Sequence, residues 1–188
     1  MPLARPLPPP PSERMDLWRP LLKVSPGNAA ARWLAAHEGA VLEEEGPNRG
    51  KLLRKWLPFK AAVDGLPYCA RLLIAVLDAA GAERVAPKGK HWFWHNGRVR
   101  TWERGHKEHG TWCGPRTEPR PGWLVFHHGR GGSDAGAGGH VDIVLSYHPK
   151  DRMVEVVGAN VSDTIRRRFF ELGHPSISGF GCVRRARA

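Results

Sequence analysis

Cysteine is scarce in this 188-residue chain: Cys69, Cys113 and Cys182 are the whole set, with no CxxC pair among them. An odd, sparse set argues against a disulfide framework, although it leaves room for one bridge. Long apolar runs are missing too. A membrane-crossing helix needs about 20 predominantly apolar residues, so no span is expected. The opening MPLARPLPPPPSER has no central apolar stretch and is broken by proline, which is not the pattern of a secretory signal. No internal repeat is present; the eight tryptophans are scattered without a period, which argues against a solenoid. Acidic residues are in short supply, 18 against 29 lysines and arginines, for a net charge of +11 and a pI near 10.3.

What remains is a chain that is 41% apolar, long enough to bury one core and too short for two full-sized domains. The positive balance favours an anionic partner through long-range attraction, with acidic lipid, nucleic acid and bacterial envelope polymer all in range. The plainer reading of the charge is solubility. Residues 1–27 form a proline-rich, basic leader, expected to be extended. The folded domain is expected over 28–188.

Pro26-Gly27-Asn28 reads as the turn and N-cap of a first helix over 29–37, ended by Gly39. A second helix is expected over 51–57, stopping before Pro58. The third is the clearest. Cys69, Leu72, Leu73, Val76, Leu77 and Ala80 recur at helical spacing on one face, with Pro67 near the start and Gly81 as the stop. Strands are expected over 123–126, 141–147, 153–157, 165–170 and 179–184. The stretch between Pro87 and Pro121, aromatic and rich in histidine, has no assignment. Helices first and strands later predict an α+β domain with a largely antiparallel sheet.

Cys69 falls in the first turn of the third helix. A thiol attacks only as thiolate, and the unpaired N–H groups and dipole of a helix start stabilise both that anion and the oxyanion formed on an attacked carbonyl. By position alone Cys69 better suits a small core residue, because free cysteine is among the most buried types. His140 changes the balance. It stands at the mouth of a strand after the glycine-rich stretch 129–139, rigidly held yet facing an open end, as a general base should be. A third group must fix its tautomer. Asn160, just beyond the next strand, is the candidate; Asp142, which strand alternation puts on the same face as His140, is the alternative.

Six segments in order then resemble a known family: Glu45-Gly46-Pro47-Asn48-Arg49-Gly50, Gly65-Leu66-Pro67-Tyr68-Cys69-Ala70, Pro119-Arg120-Pro121-Gly122, Gly139-His140-Val141, Asn160 and Gly179-Phe180. They look like the landmarks of CHAP domains (cysteine, histidine-dependent amidohydrolases/peptidases), especially those of phage and prophage lysis enzymes. The likeness runs from about residue 28 to the C-terminus. It implies a papain-like α+β fold, N-terminal helices packed on the sheet, and hydrolysis of an amide bond in peptidoglycan. Cys69 would be the nucleophile, His140 the base and Asn160 its orienting residue, with Tyr68, Asp142 and Trp123 bordering the substrate. The Glu45–Gly50 segment would be a structural turn beside the cleft.

The chain departs from that pattern at four places. Gly158 stands where many relatives carry an acidic residue, Asp142 where they have a small one, Trp123 where they have aspartate, and Arg71 where a small residue is common. No cofactor or metal is expected. His106, His109 and Cys113, or His91 with His95, have ligand-like spacing, but too few cluster, and they read as solvent-facing. Asp134, alone among glycines, falls short of a calcium loop. His127, His128 and His148 are candidates to line the cleft with His140, and Arg166-Arg167-Arg168 reads as solvated surface.

The expected protein is a monomer made in the cytoplasm that acts at the bacterial cell wall on peptidoglycan and its anionic polymers, with nucleic acid the less favoured partner. Two rivals differ in class: a basic binding module of the same fold with an altered site, and a cysteine deamidase or acyltransferase toxin.

Overall fold

A computed structural model describes residues 24–40, 45, 48–51, 53, 57, 68–85, 88, 98–128 and 139–186. Residues 1–23 of the leader, Pro67, His91, His95 and the stretch 129–138 with Asp134 lie outside them. So does most of the helix expected over 51–57. Of its described residues, Lys51 and Leu53 are helical, and the Leu57 N–H donates to the Leu53 carbonyl at 2.9 Å.

Helix α1 spans Pro26–Ala36 and begins earlier than the sequence predicts. Its cap is Ser25, whose Oγ accepts from the Asn28 N–H at 3.3 Å, and Pro26 sits in the first turn, where a missing N–H costs nothing. Helix α2 spans Cys69–Ala79, as its apolar spacing predicts, and buries Leu72, Leu73, Ile74, Val76 and Leu77. Helix α3, Val99–Glu108, is the element the sequence pattern did not disclose. It buries only Val99, Trp102, Gly105 and His106, a narrow stripe on an otherwise charged helix.

Six strands follow: β1 (Trp112–Cys113), β2 (Leu124–His127), β3 (His140–His148), β4 (Met153–Val161), β5 (Thr164–Glu171) and β6 (Ile177–Gly181). They form one antiparallel sheet in the order β1-β6-β2-β3-β4-β5. The chain is therefore α+β, as expected. β3 and β4 extend beyond their expected ends, and β6 begins two residues early and stops at Gly181 rather than continuing to Arg184.

Strand alternation divides the core in two. Leu124, Phe126, Val141, Ile143, Val157, Ala159 and Ile165 face α1 and α2 and pack with Trp33, Leu34, Leu72, Leu73 and Leu77. Val125, Val144, Val154, Val156, Ile177 and Phe180 form a second cluster, joined by the partly buried Trp123, Tyr147 and Phe170. Where α1 starts, it crosses the turn before β2 at very short range. A Cβ on Gly27 would overlap the Gly122 carbonyl, and one on Gly122 (φ +85) would press on the Asn28 N–H. The Pro121-Gly122 pair is thus a seat for the first helix.

Candidate active site

Cys69 is the first residue of α2 and is buried. The N-cap residue, Tyr68, makes no side-chain cap to the first turn, which holds no acidic residue. The dipole of an 11-residue helix therefore ends at the thiol without an opposing carboxylate. The Arg71 guanidinium is close enough to interact electrostatically with Cys69, while burial pushes its own pKa down.

His140 opens β3 and lies close enough to Cys69 for the two side chains to interact. Its Nε2 donates to Asp142 Oδ1 at 2.9 Å. Asp142 lies two residues along the same strand, on the same face as His140, and is wholly buried. Its other oxygen, Oδ2, accepts from His127 Nε2 at 2.8 Å and from Arg168 Nη2 at 2.6 Å. One carboxylate thus takes three donors from three strands. β2 and β3 are in register at His127 and His140, whose rings stand 5.8 Å apart.

The electrostatics follow from that geometry. Burial alone would raise the Asp142 carboxyl; the charge of His140 and the hydrogen bonds from His127 and His140 outweigh it and hold the group well below its usual range. Burial alone would neutralise His140; attraction and hydrogen bonding to Asp142, aided by Cys69, outweigh it and raise the ring to about 10. His127 goes the other way. Burial lowers its pKa, and repulsion from His140 and Arg168 adds to this against the pull of Asp142. The network therefore holds one imidazolium, His140, and one neutral imidazole, His127, around a single carboxylate.

Gly158 explains how the carboxylate fits. A Cβ at this position of β4 would fall on Asp142 Oδ1 and come within 3.3 Å of His140 Nε2. The glycine at 158 and the carboxylate at 142 are therefore one feature: the side chain missing at 158 leaves the space that Asp142 fills from the neighbouring strand.

Asn160 is placed differently from its expected partner. It lies at a bulge in β4 with φ +63, and its Nδ2 donates to Asn48 Oδ1 at 3.0 Å. Asn48 also has a positive φ (+55), the Glu45 N–H donates to the Arg49 carbonyl at 3.2 Å, and Asn48 is thereby tied to the end of β4. Tyr68 is wholly buried beside Cys69. Trp123 stands just before β2 and packs into the second cluster, on the sheet face away from α1 and α2.

Other histidines divide. His127 joins the network, whereas His148 ends β3 at its far end and bonds Ser146 at 2.9 Å. His106 is not solvent-facing as expected. It is buried against Phe126 and Trp102, its Nδ1 pairs with Thr111 Oγ1 at 2.8 Å, and burial together with repulsion from His109 lowers its pKa to about 3. Cys113 lies 3.7 Å from Cys182, sulfur to sulfur, both as free thiols. Among the described residues no group of three or more His, Cys, Asp or Glu could hold a metal ion, and no helix is long and apolar enough to cross a membrane.

Arg168 corrects the reading of the Arg166–Arg168 run as plain solvated surface. Val156 pairs with Arg168 across β4 and β5, and the guanidinium reaches inward to Asp142. Only strand period could have indicated this: Arg168 is an even-numbered β5 residue, on the face opposite Ile165. Comparison with family models, curated proteins and solved structures finds no match to this chain.

Proposed function

We propose that the protein is a cysteine-dependent hydrolase that cleaves an amide bond of peptidoglycan, as an amidase or endopeptidase of CHAP type with a papain-like fold. The observation that carries this reading is the chain of contacts Cys69–His140–Asp142, with Cys69 at a helix start and the carboxylate fully buried. A thiol attacks only as thiolate, and an imidazole beside it can carry the proton. Peptidoglycan as the substrate rests on the ordered sequence landmarks and on the positive charge of the chain.

In the first half-reaction the Cys69 sulfur bonds to the amide carbonyl carbon, and the carbonyl oxygen takes the negative charge. First-turn N–H groups of α2 are suited to receive it. The C–N bond then breaks as His140 passes its proton to the departing nitrogen, leaving a thioester. Water adds to the thioester while His140 accepts a proton. The acid departs, and the proton returns to the thiolate–imidazole pair. Asp142 fills the orienting role assigned by the resemblance to Asn160, and it adds a full negative charge that favours the imidazolium. Asn160 instead ties the 45–50 turn to β4.

The test is turbidity of purified bacterial cell walls. The unmodified protein should clear the suspension, while Cys69→Ala and His140→Ala should clear it at least about 10³-fold more slowly and stay folded. Equal clearing by Cys69→Ala would overturn the proposal.

A further inference from the structure

A second feature shares His127 with the Asp142 network. A half-open pocket of about 340 Å³ is lined by Arg100, Glu103, Arg104, Lys107, His127 and His128. The volume is at the small end for a ligand site and suits a compact group. Three cations face one carboxylate, and two of the lining residues are histidines. The helix makes this wall by its period: residues 100, 103, 104 and 107 recur at i, i+3, i+4 and i+7 on the polar side of α3, whose other side is anchored by Val99, Trp102 and His106.

Two of the three cations have a carboxylate partner on their own helix. Lys107 contacts Glu103 at 2.6 Å and Arg104 contacts Glu108 at 3.5 Å. Both are i,i+4 pairs on the helix surface, weak enough for a bidentate anion to compete with them. The pocket also touches the catalytic network. His127 lines it and donates through Nε2 to Asp142, and the His127 ring stands 5.8 Å from the His140 ring.

We infer that this pocket is a subsite for a carboxylate-bearing substituent of the substrate, gripped by Arg100, Arg104 and Lys107 and placing the scissile amide toward His140 and Cys69. The assignment to substrate rests on the hydrolase reading above; binding of the anion does not. Planar guanidinium groups match a carboxylate in bidentate fashion. The subsite would select acidic peptides over their amidated counterparts.

The experiment titrates a triglutamate peptide, its fully amidated counterpart and glycerol phosphate into the full protein at low salt. The readout is the side-chain resonances of His127 and His128. Triglutamate should shift both signals saturably, and the amidated peptide should not. Binding should weaken about tenfold or more in the Arg100→Gln/Arg104→Gln protein. It should change less than about twofold in Lys150→Gln, which removes a charge in the β3–β4 turn at the far end of β3. Absence of saturable shifts, equal losses in Lys150→Gln, or tighter binding of glycerol phosphate than of triglutamate would overturn the carboxylate subsite. Saturable, arginine-dependent binding by a protein that clears no cell wall would leave the subsite standing and sink the hydrolase reading instead.

Discussion

The Asp142 carboxylate is the acceptor for His140, His127 and Arg168 at once, so changing it has consequences of two kinds. Asp142→Ala leaves a part-buried guanidinium and two imidazoles without their acceptor and should destabilise the fold by about 2–4 kcal/mol in urea unfolding. Asp142→Asn keeps the shape but loses the charge. The His140 ring, raised to about 10 beside the carboxylate, should then titrate lower by about two units or more, read from its NMR signals; an unchanged midpoint would remove Asp142 from this role. The sign for stability follows from the two directions. His140, raised in the fold, contributes fully below its unfolded value near 6.5 and loses that contribution as pH rises through about 10. Asp142, depressed in the fold, contributes above its unfolded value near 3.8 and loses it on acidification below that. The pair should therefore flatten the stability profile between roughly pH 4 and 6.5, with decline on either side. Gly158 tests the shared space from the other strand. Gly158→Ala should cost about 1–3 kcal/mol, and Asp142→Ala/Gly158→Ala should cost less than the sum of the two single changes by about 1 kcal/mol, because the first substitution vacates the room the second needs.

At the scale of elements, the meeting of α1 with the turn before β2 has no slack. Gly27→Ala places a methyl on the Gly122 carbonyl and should lower stability by about 1–3 kcal/mol, seen as an earlier urea midpoint with an unchanged slope; an unaltered midpoint would contradict the contact. Most elements were legible because each announces itself locally. The apolar face of α2 repeats at helical spacing, and β2 to β6 are short β-branched or aromatic runs bounded by turns. α3 was not, since only Val99, Trp102, Gly105 and His106 are buried on it and its remaining charges look like a loop. The same limit applies to the site. Cys69 and His140 could be placed from a helix start and a strand mouth. Asp142 could be put on the correct face but not given a partner, because its three donors come from β2, β3 and β5, and no local pattern reports which strands are neighbours. Arg168 resembles its exposed neighbours Arg166 and Arg167 in type and differs from them only in what lies beneath it.

Across the whole molecule, a net charge of +11 gives a long-range attraction for anionic polymer that operates before any specific contact. Co-sedimentation with purified walls should therefore weaken several-fold between about 0.05 and 0.5 M salt, as the screening length shortens from roughly 14 Å to 4 Å. Salt-independent retention would show that charge is not what brings the protein to the wall. In the proposed function, attraction brings the chain near anionic polymer, and the chemistry is assigned to Cys69 and His140. The most direct measurement is mass spectrometry of fragments released from purified peptidoglycan. The account predicts that the unmodified protein releases pieces carrying a new amino end and a new carboxylate, one water gained per cut, and that Cys69→Ala releases none. The same fragments from both proteins, or none from the unmodified one, would contradict it.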